Sequence, residues 1–255
     1  MTDPNLVALL YQLADDELVI GHRDSEWLGL APHIEEDIAF GSIAQDEVGH
    51  AAAFYHLLEG LGLGQADDLA FLRPAVERRN AVLLERPNGA GSYLKDPQFD
   101  WGYTVARRLA YDLFDAIRLE AIASSCAYQP LAQLAGKIRR EERYHLLHHA
   151  TWFRRLAEGT AESRRRLAAG IERTWEDVSG LFVGESSPFL PVCSQELWGR
   201  WTAELRPQFD AAGLPWPLQA PAVQLDGRAG QHTPDLDALL QTMGEVYRTA
   251  PGASW

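Results

Sequence analysis

The chain has 255 residues, 46% hydrophobic and 23% charged, which is enough apolar material for a sizeable core without covalent staples. A formal charge of −13 argues against a nucleic-acid binder, since phosphate recognition needs Lys and Arg in excess on at least one face. No apolar run approaches the ~18–20 residues that span a bilayer. The N-terminal stretch also lacks a basic segment followed by an unbroken apolar one, and Cys126 and Cys193 form no soft-ligand cluster. These features predict a soluble, reduced, cytoplasmic protein.

In chain order, Leu6, Leu10, Leu13, Glu17, Ile20 and Trp27 recur at steps of three and four or their sum, the inner face of an amphipathic helix that Gly29 and Pro32 end. A second helix starts near Pro32 and carries Phe40, Ile43, Glu47, His50, Phe54 and Leu57 on one face until Gly60, Gly62 and Gly64 stop it. Periodicity then weakens as far as Asp100. Pro74, Pro87 and Pro97 intervene, residues 88 to 92 (NGAGS) read as a flexible turn, and the ~35-residue span exceeds a simple inter-helix turn. A third helix is predicted over 101–125. A fourth runs from Pro130, a first-turn proline, to about Leu156, with Leu134, Ile138, Glu142, His145, His149 and Trp152 inward.

Beyond Gly159 a basic helix precedes a Pro-rich region, with shorter helices predicted at 194–205 and 234–248. Strand-type alternation is nearly absent, so the class is all-α. Two short helical hairpins joined by a long crossover is the connectivity of a ferritin-like four-helix bundle. The expected organisation is one ferritin-like domain over 1–255, with a bundle core at about 5–158 and a C-terminal helical extension at about 160–255. Arg164, Arg165 and Arg166 read as a solvated helix face, and Trp198, Trp201 and Trp216 as core, with an interface the alternative.

In a helix, residues three apart lie on nearly one face and ~4.5 Å apart along the axis, so Glu-x-x-His aims a carboxylate and an imidazole at one point. This chain has two such motifs, Glu47/His50 and Glu142/His145, each on the apolar face of its helix. An ionised carboxylate there costs several kcal/mol unless it is paired or metal-bound. Ferritin-like di-iron proteins combine two Glu-x-x-His motifs with one carboxylate from each of two further helices. Residues equidistant from a helix turn share a level, which puts Glu17 opposite Glu47, thirty residues earlier; the same separation from Glu142 selects Asp112, with Asp115 one turn later as competitor.

The predicted metal ligands are therefore Glu17, Glu47 and His50 for one ion and Asp112, Glu142 and His145 for the other. Hard carboxylates with imidazole suit iron, with manganese as the alternative. His148 and His149 read as surface or supporting groups. Asp15, Asp16, Glu35, Glu36, Asp37 and Asp46 fall off the apolar faces and read likewise. Phe54 stands four residues after His50, where a radical-bearing enzyme would need Tyr.

Several segments carry more than an architecture: SEWLGLAP at 25–32, LLERPNG at 83–89, REERYHLLHHATWFRRL at 140–156 and GRAGQHTPDLDALLQTMGEVYRTAPGASW at 227–255. In order and over nearly the whole chain they resemble the phenylacetyl-CoA 1,2-epoxidase (phenylacetate-CoA oxygenase) family, in its C-subunit branch. Gly230, His232, Thr233 and the terminal Trp255 are the most specific marks. The resemblance implies a ferritin-like subunit that pairs with a homologous A subunit in an oxygenase supplied with electrons by a reductase. It further implies that the di-iron centre belongs to the A subunit and that C subunits are scaffolds with replaced ligands. This chain departs from that pattern in keeping all six ligand-type residues. Two functions therefore stand against each other, a metal-binding oxygenase component and a metal-free structural scaffold, with iron storage or detoxification behind both and a homodimer as a further assembly.

Overall fold

The computed structural model describes residues 2–93, 95–217, 219 and 221–251, so the expectation placed on Trp255 lies outside the described residues. The class is all-α and ferritin-like, with two long helical hairpins, a crossover and additional C-terminal helices. No helix among the described residues is long and apolar enough to cross a membrane. The chain divides into two compact units, one of residues 1–87 with 225–255, the other of residues 88–224. Residues 160–224 fall in the second unit and 225–255 in the first.

The first unit is built on the hairpin of α1 (Pro4–Ser25) and α2 (Ile34–Gly60). Asp3 caps α1 by accepting from the Asn5 amide at 2.8 Å, and Pro4 sits in the first turn, where its missing N–H costs nothing. Glu35, Glu36 and Asp37 occupy the first turn of α2, where the helix dipole favours acids. Leu10, Leu13, Ile20, Phe40, Phe54 and Leu58 are fully buried. The helices pack closely at Gly21, where a Cβ would lie 2.8 Å from Glu47 Cβ and 3.3 Å from the Ala44 carbonyl oxygen.

The first half of the crossover is folded: α3 (Ala66–Phe71), a 3₁₀ turn at Ala75–Glu77 and α4 (Val82–Glu85). In place of the single helix predicted at 234–248, α9 (Pro234–Met243) and α10 (Glu245–Thr249) are separated at Gly244, the residue with least to lose from leaving the helix.

In the second unit, residues 88–92 depart from the flexible turn expected of them. Strands β1 (Gly89–Ser92) and β2 (Lys95–Phe99) form an antiparallel hairpin, with Gly89 opposite Phe99 and a register shift between Ala90 and Ser92. The glycines explain both the pairing and why alternation could not reveal it. A Cβ would lie 2.2 Å from the Gln98 carbonyl oxygen at Gly89, and 2.0 Å from that of Asp96 at Gly91, where φ is +77°. Helices α5 (Trp101–Ser125) and α6 (Gln129–Glu158) make the second long hairpin, and α7 (Ala161–Asp177) crosses α5 closely, Gly170 facing Gly102. α8 (Ser194–Ala211) continues through Pro207, past the Leu205 end expected from that proline. Leu205 and Phe209, on either side of it, are both buried, and this anchors the last turn despite the lost hydrogen bond.

Trp201 is fully buried, donates from Nε1 to the Ala110 carbonyl at 2.8 Å, and stacks with Trp175, Trp198, Trp216 and Phe182. Trp201 is therefore core, as expected, whereas Trp198 and Trp216 are half-buried against it. Arg165 and Arg166 are exposed and pair with Glu162, as a solvated face should, whereas Arg164 donates to the Ala157 and Ala212 carbonyls.

Candidate metal centre

In the first unit the α1/α2 hairpin brings three of the predicted ligands together. Glu17, Glu47 and His50 are 1%, 0% and 5% exposed. Each offers a ligand atom, and these atoms lie within 4.8 Å of one another. His50 Nδ1 stands 3.6 Å from Glu17 Oε2. Two carboxylates and an imidazole converging in an apolar interior fit a hard divalent cation. The approach at Gly21 lets Glu17 and Glu47, on neighbouring helices, reach the same point.

In the second unit Glu142 and His145 are also buried, with His145 Nδ1 3.1 Å from Glu142 Oε1. Asp112 and its competitor Asp115 are both fully buried on α5, each beside an arginine. Arg108 Nη2 is 3.0 Å from Asp112 Oδ1, and His149 Nδ1 is 2.6 Å from Asp112 Oδ2. Arg118 donates to Asp115 Oδ1 from Nε at 2.9 Å and from Nη2 at 2.5 Å. The donor set Asp112, Glu142 and His145 suits a metal in type, but Asp112 already shares its carboxylate with a guanidinium and an imidazole. His149, expected at the surface or in a supporting role, is completely buried and orients Asp112. Arg108 is a partner that the apolar pattern did not reveal, although its place four residues before Asp112 was the available signal.

The acids flanking Glu17 show what the apolar pattern missed. Asp15 and Asp16 are fully buried, as is Glu85, and Glu36 is nearly so. Asp15 accepts from Tyr55 Oη at 2.5 Å, from Arg78 at 3.1 Å, from Arg73 and from the Arg79 amide at 2.8 Å. Burial alone would raise its carboxyl, yet Arg73 and Arg78 outweigh burial and hold it below the usual carboxylate range. The Tyr55 phenol is pushed up by burial and then by the Asp15 charge. Asp16 accepts from the Ala81 amide at 2.9 Å and from Arg228 at 2.7 Å. Glu85 accepts from the Thr233 amide (2.7 Å) and hydroxyl (2.8 Å), Asn80 (2.9 Å) and His232 Nδ1 (2.7 Å). α1 is thereby clamped by the crossover and by the chain after residue 225.

Comparison with known proteins decides the family. The whole chain, residues 1–255, matches the family described as phenylacetic acid catabolic protein. The chain belongs to this family. It is 31% identical over 257 aligned residues to the C subunit of the 1,2-phenylacetyl-CoA epoxidase of Escherichia coli (strain K12), covering 98% of this chain and 99% of that one. Two of the segments that carried the resemblance meet in the structure, since Glu85 of LLERPNG is held by His232 and Thr233 of GRAGQHT. Gly227 and Gly230 permit the approach. A Cβ would lie 2.1 Å from the Asn80 carbonyl oxygen at the first and 2.3 Å from that of Val76 at the second, where φ is +79°.

Proposed function

We propose that this chain is a subunit of a multicomponent phenylacetyl-CoA epoxidase that acts in the cytoplasm in aerobic phenylacetate degradation. In this reading the 255 residues serve as one functional ferritin-like domain. A homologous A subunit and a reductase are its partners. Glu17, Glu47 and His50 would hold one ion and Asp112, Glu142 and His145 the other, with iron the expected metal and manganese the alternative. The supporting observation is the buried Glu17/Glu47/His50 cluster in a chain that is similar over its full length to an epoxidase subunit. When bound, iron would supply O2-dependent oxidation chemistry. The chain's own part is to present the carboxylates and imidazoles, to exclude water with Leu13, Ile20, Phe40 and Phe54, and to hold Asp112 through His149.

One observation favours the scaffold reading. Arg108 already supplies a positive charge at Asp112, which lowers the demand there for a cation. Elemental analysis after anaerobic loading with ferrous iron separates the two. About two ions per chain support the oxygenase component, and none supports the scaffold. Co-expression with the A subunit, followed by turnover of the complex carrying Glu47→Ala and Glu142→Ala, then tests whether the site acts. Lost turnover in an intact complex assigns it a catalytic part, and unchanged turnover assigns scaffolding.

A further inference from the structure

α2 is a 27-residue helix, ~40 Å long at 1.5 Å per residue, with one face buried in its unit and the other in solvent. The outer face is not that of a solvated helix. Ile34 is 73% exposed, Ile38 69% and Val48 40%, and between and beyond them come Ser42, Gln45, Gly49 and Ala52, all exposed and uncharged. From Ile34 to Ala52 Glu35 is the fully exposed charged residue and Asp37 and Asp46 are half-exposed, in a chain whose net charge is −13. The turn before α2 adds Leu28, 42% exposed, and Leu30, 38% exposed. By contrast, α6 sets its exposed apolar residues, Tyr144 and Leu147, among the exposed cations Lys137, Arg140, Arg143 and Arg154. A face over residues 34–52 with this much exposed aliphatic surface, no cation and little acidic charge marks a contact surface.

We infer that this outer face of α2 is where a second ferritin-like subunit docks, through a long helix with an equally uncharged face. The inference rests on the proposed membership of a multisubunit epoxidase and names the surface that membership would use. Three observations select the occupant. The face has no Lys or Arg, so it offers nothing to a nucleic acid or an anionic lipid surface. The stripe runs over residues 34–52, ~27 Å at 1.5 Å per residue, so a globular loop would cover only part of it, whereas a helix of similar length covers all of it. Gly49 and Ala52 leave room for a partner helix at the shorter end of the ~8–10 Å interaxial range. One such helix face supplies ~400 Å² on each side, about half of a standard interface, so it forms the centre of the contact and its surroundings form the rim.

The test uses the full-length chain co-expressed with the A subunit, measured by size-exclusion chromatography with light scattering and by a titration of the purified pair. Ile34→Glu and Ile38→Glu place a charge on the face, and Tyr144→Glu, at a 74% exposed position on α6, is the control. The expected result is a wild-type heteromer, a loss of affinity of about 100-fold or more in both α2 variants, and unchanged affinity in the control. The mutated side chains are exposed, so thermal melts of the isolated variants should match wild type and exclude misfolding. A wild-type complex that survives both substitutions overturns the surface assignment while leaving the proposed function standing. Two wild-type subunits that migrate independently at micromolar concentration overturn both. Self-association of the chain alone that these substitutions abolish overturns the occupant, since the face then takes a second copy.

Discussion

Gly21→Ala tests the link between helix packing and the metal site. The added Cβ would sit 2.8 Å from Glu47 Cβ and 3.3 Å from both the Ala44 carbonyl oxygen and Val48 Cγ2. Ordinary carbon contacts are ~3.5–4.0 Å, so α1 and α2 must part by up to ~1 Å at the level of Glu47. Overpacking costs ~1–3 kcal/mol, and replacing a mid-helix glycine returns up to ~1 kcal/mol. The net loss is ~0–2 kcal/mol, a fall in Tm of a few degrees at ~2–4 °C per kcal/mol for a chain of this size. The larger effect falls on the site. Glu17 and Glu47 lie on the two helices being separated, and disturbing such support for metal ligands typically costs ~10–100-fold in affinity. Gly49→Ala is the control, because Gly49 is exposed on the same helix as Glu47 with nothing within 4 Å of a new Cβ; it should keep wild-type metal affinity and gain slightly in Tm. Calorimetric titration with manganese, together with thermal melts, reads both quantities. A Gly21→Ala protein that binds metal as tightly as wild type would refute the claim that this contact sets the ligand geometry.

Burial, reinforced by Arg23, lowers His22 from 6.5 to about 4, so the unfolded chain binds the extra proton first as pH falls. Stability is full above about 6.5 and is lost towards about 4 with a slope of up to ~1.4 kcal/mol per pH unit; His22→Gln should flatten urea-denaturation stability in that window. Asp15, held below 3.8, keeps its contribution until more acid conditions, and Asp15→Asn should abolish the loss that remains there. Glu85→Gln places an amide NH2 or a weaker acceptor before four donors and should cost ~2–4 kcal/mol, read as a Tm drop of several degrees. Chelation of metal-loaded protein should lower Tm by mass action; an unchanged melt after verified metal removal would count against occupancy in solution.

The legible parts of the fold and site are those in which one helical face carries the whole signal. The α5 limits follow from the pattern. Glu17, Glu47 and His50 were legible because a carboxylate set in an apolar face is costly unless it meets a charge or a metal. What escaped depends on partners far away in sequence. Asp15 and Asp16 fall off the apolar face of α1, yet are buried because Arg73, Arg78 and Arg228 arrive from the crossover and the C-terminal region. His149 was hidden in the same way, whereas Arg108 stands four residues before Asp112 and was within reach of helical spacing. A charged residue has no periodicity of its own, and only the fold shows whether its counter-charge is water or a guanidinium. The β1/β2 hairpin escaped because its strands are specified by small residues at close contacts and carry no apolar alternation.

The residues that reveal the family and those that could carry its chemistry overlap only in part: REERYHLLHHATWFRRL at 140–156 holds Glu142 and His145, whereas LLERPNG and GRAGQHT hold no proposed ligand. LLERPNG and GRAGQHT are recognisable because each residue in the clamp has a strict local duty. Gly227 and Gly230 admit neighbouring carbonyls, His232 presents its two ring nitrogens to Glu85 and the Arg78 carbonyl, and Thr233 satisfies Glu85 twice. None of this requires a metal or a substrate, so a scaffold and an oxygenase component would need the clamp equally. The Glu-x-x-His pairs are in the opposite position. Their burial is unfavourable for a scaffold unless something offsets it, because two carboxylates and an imidazole within 4.8 Å are costly in a dry interior. Family membership therefore accounts for the architecture, while the functional choice rests on what neutralises Glu17 and Glu47, and metal content is the measurement that bears on it directly.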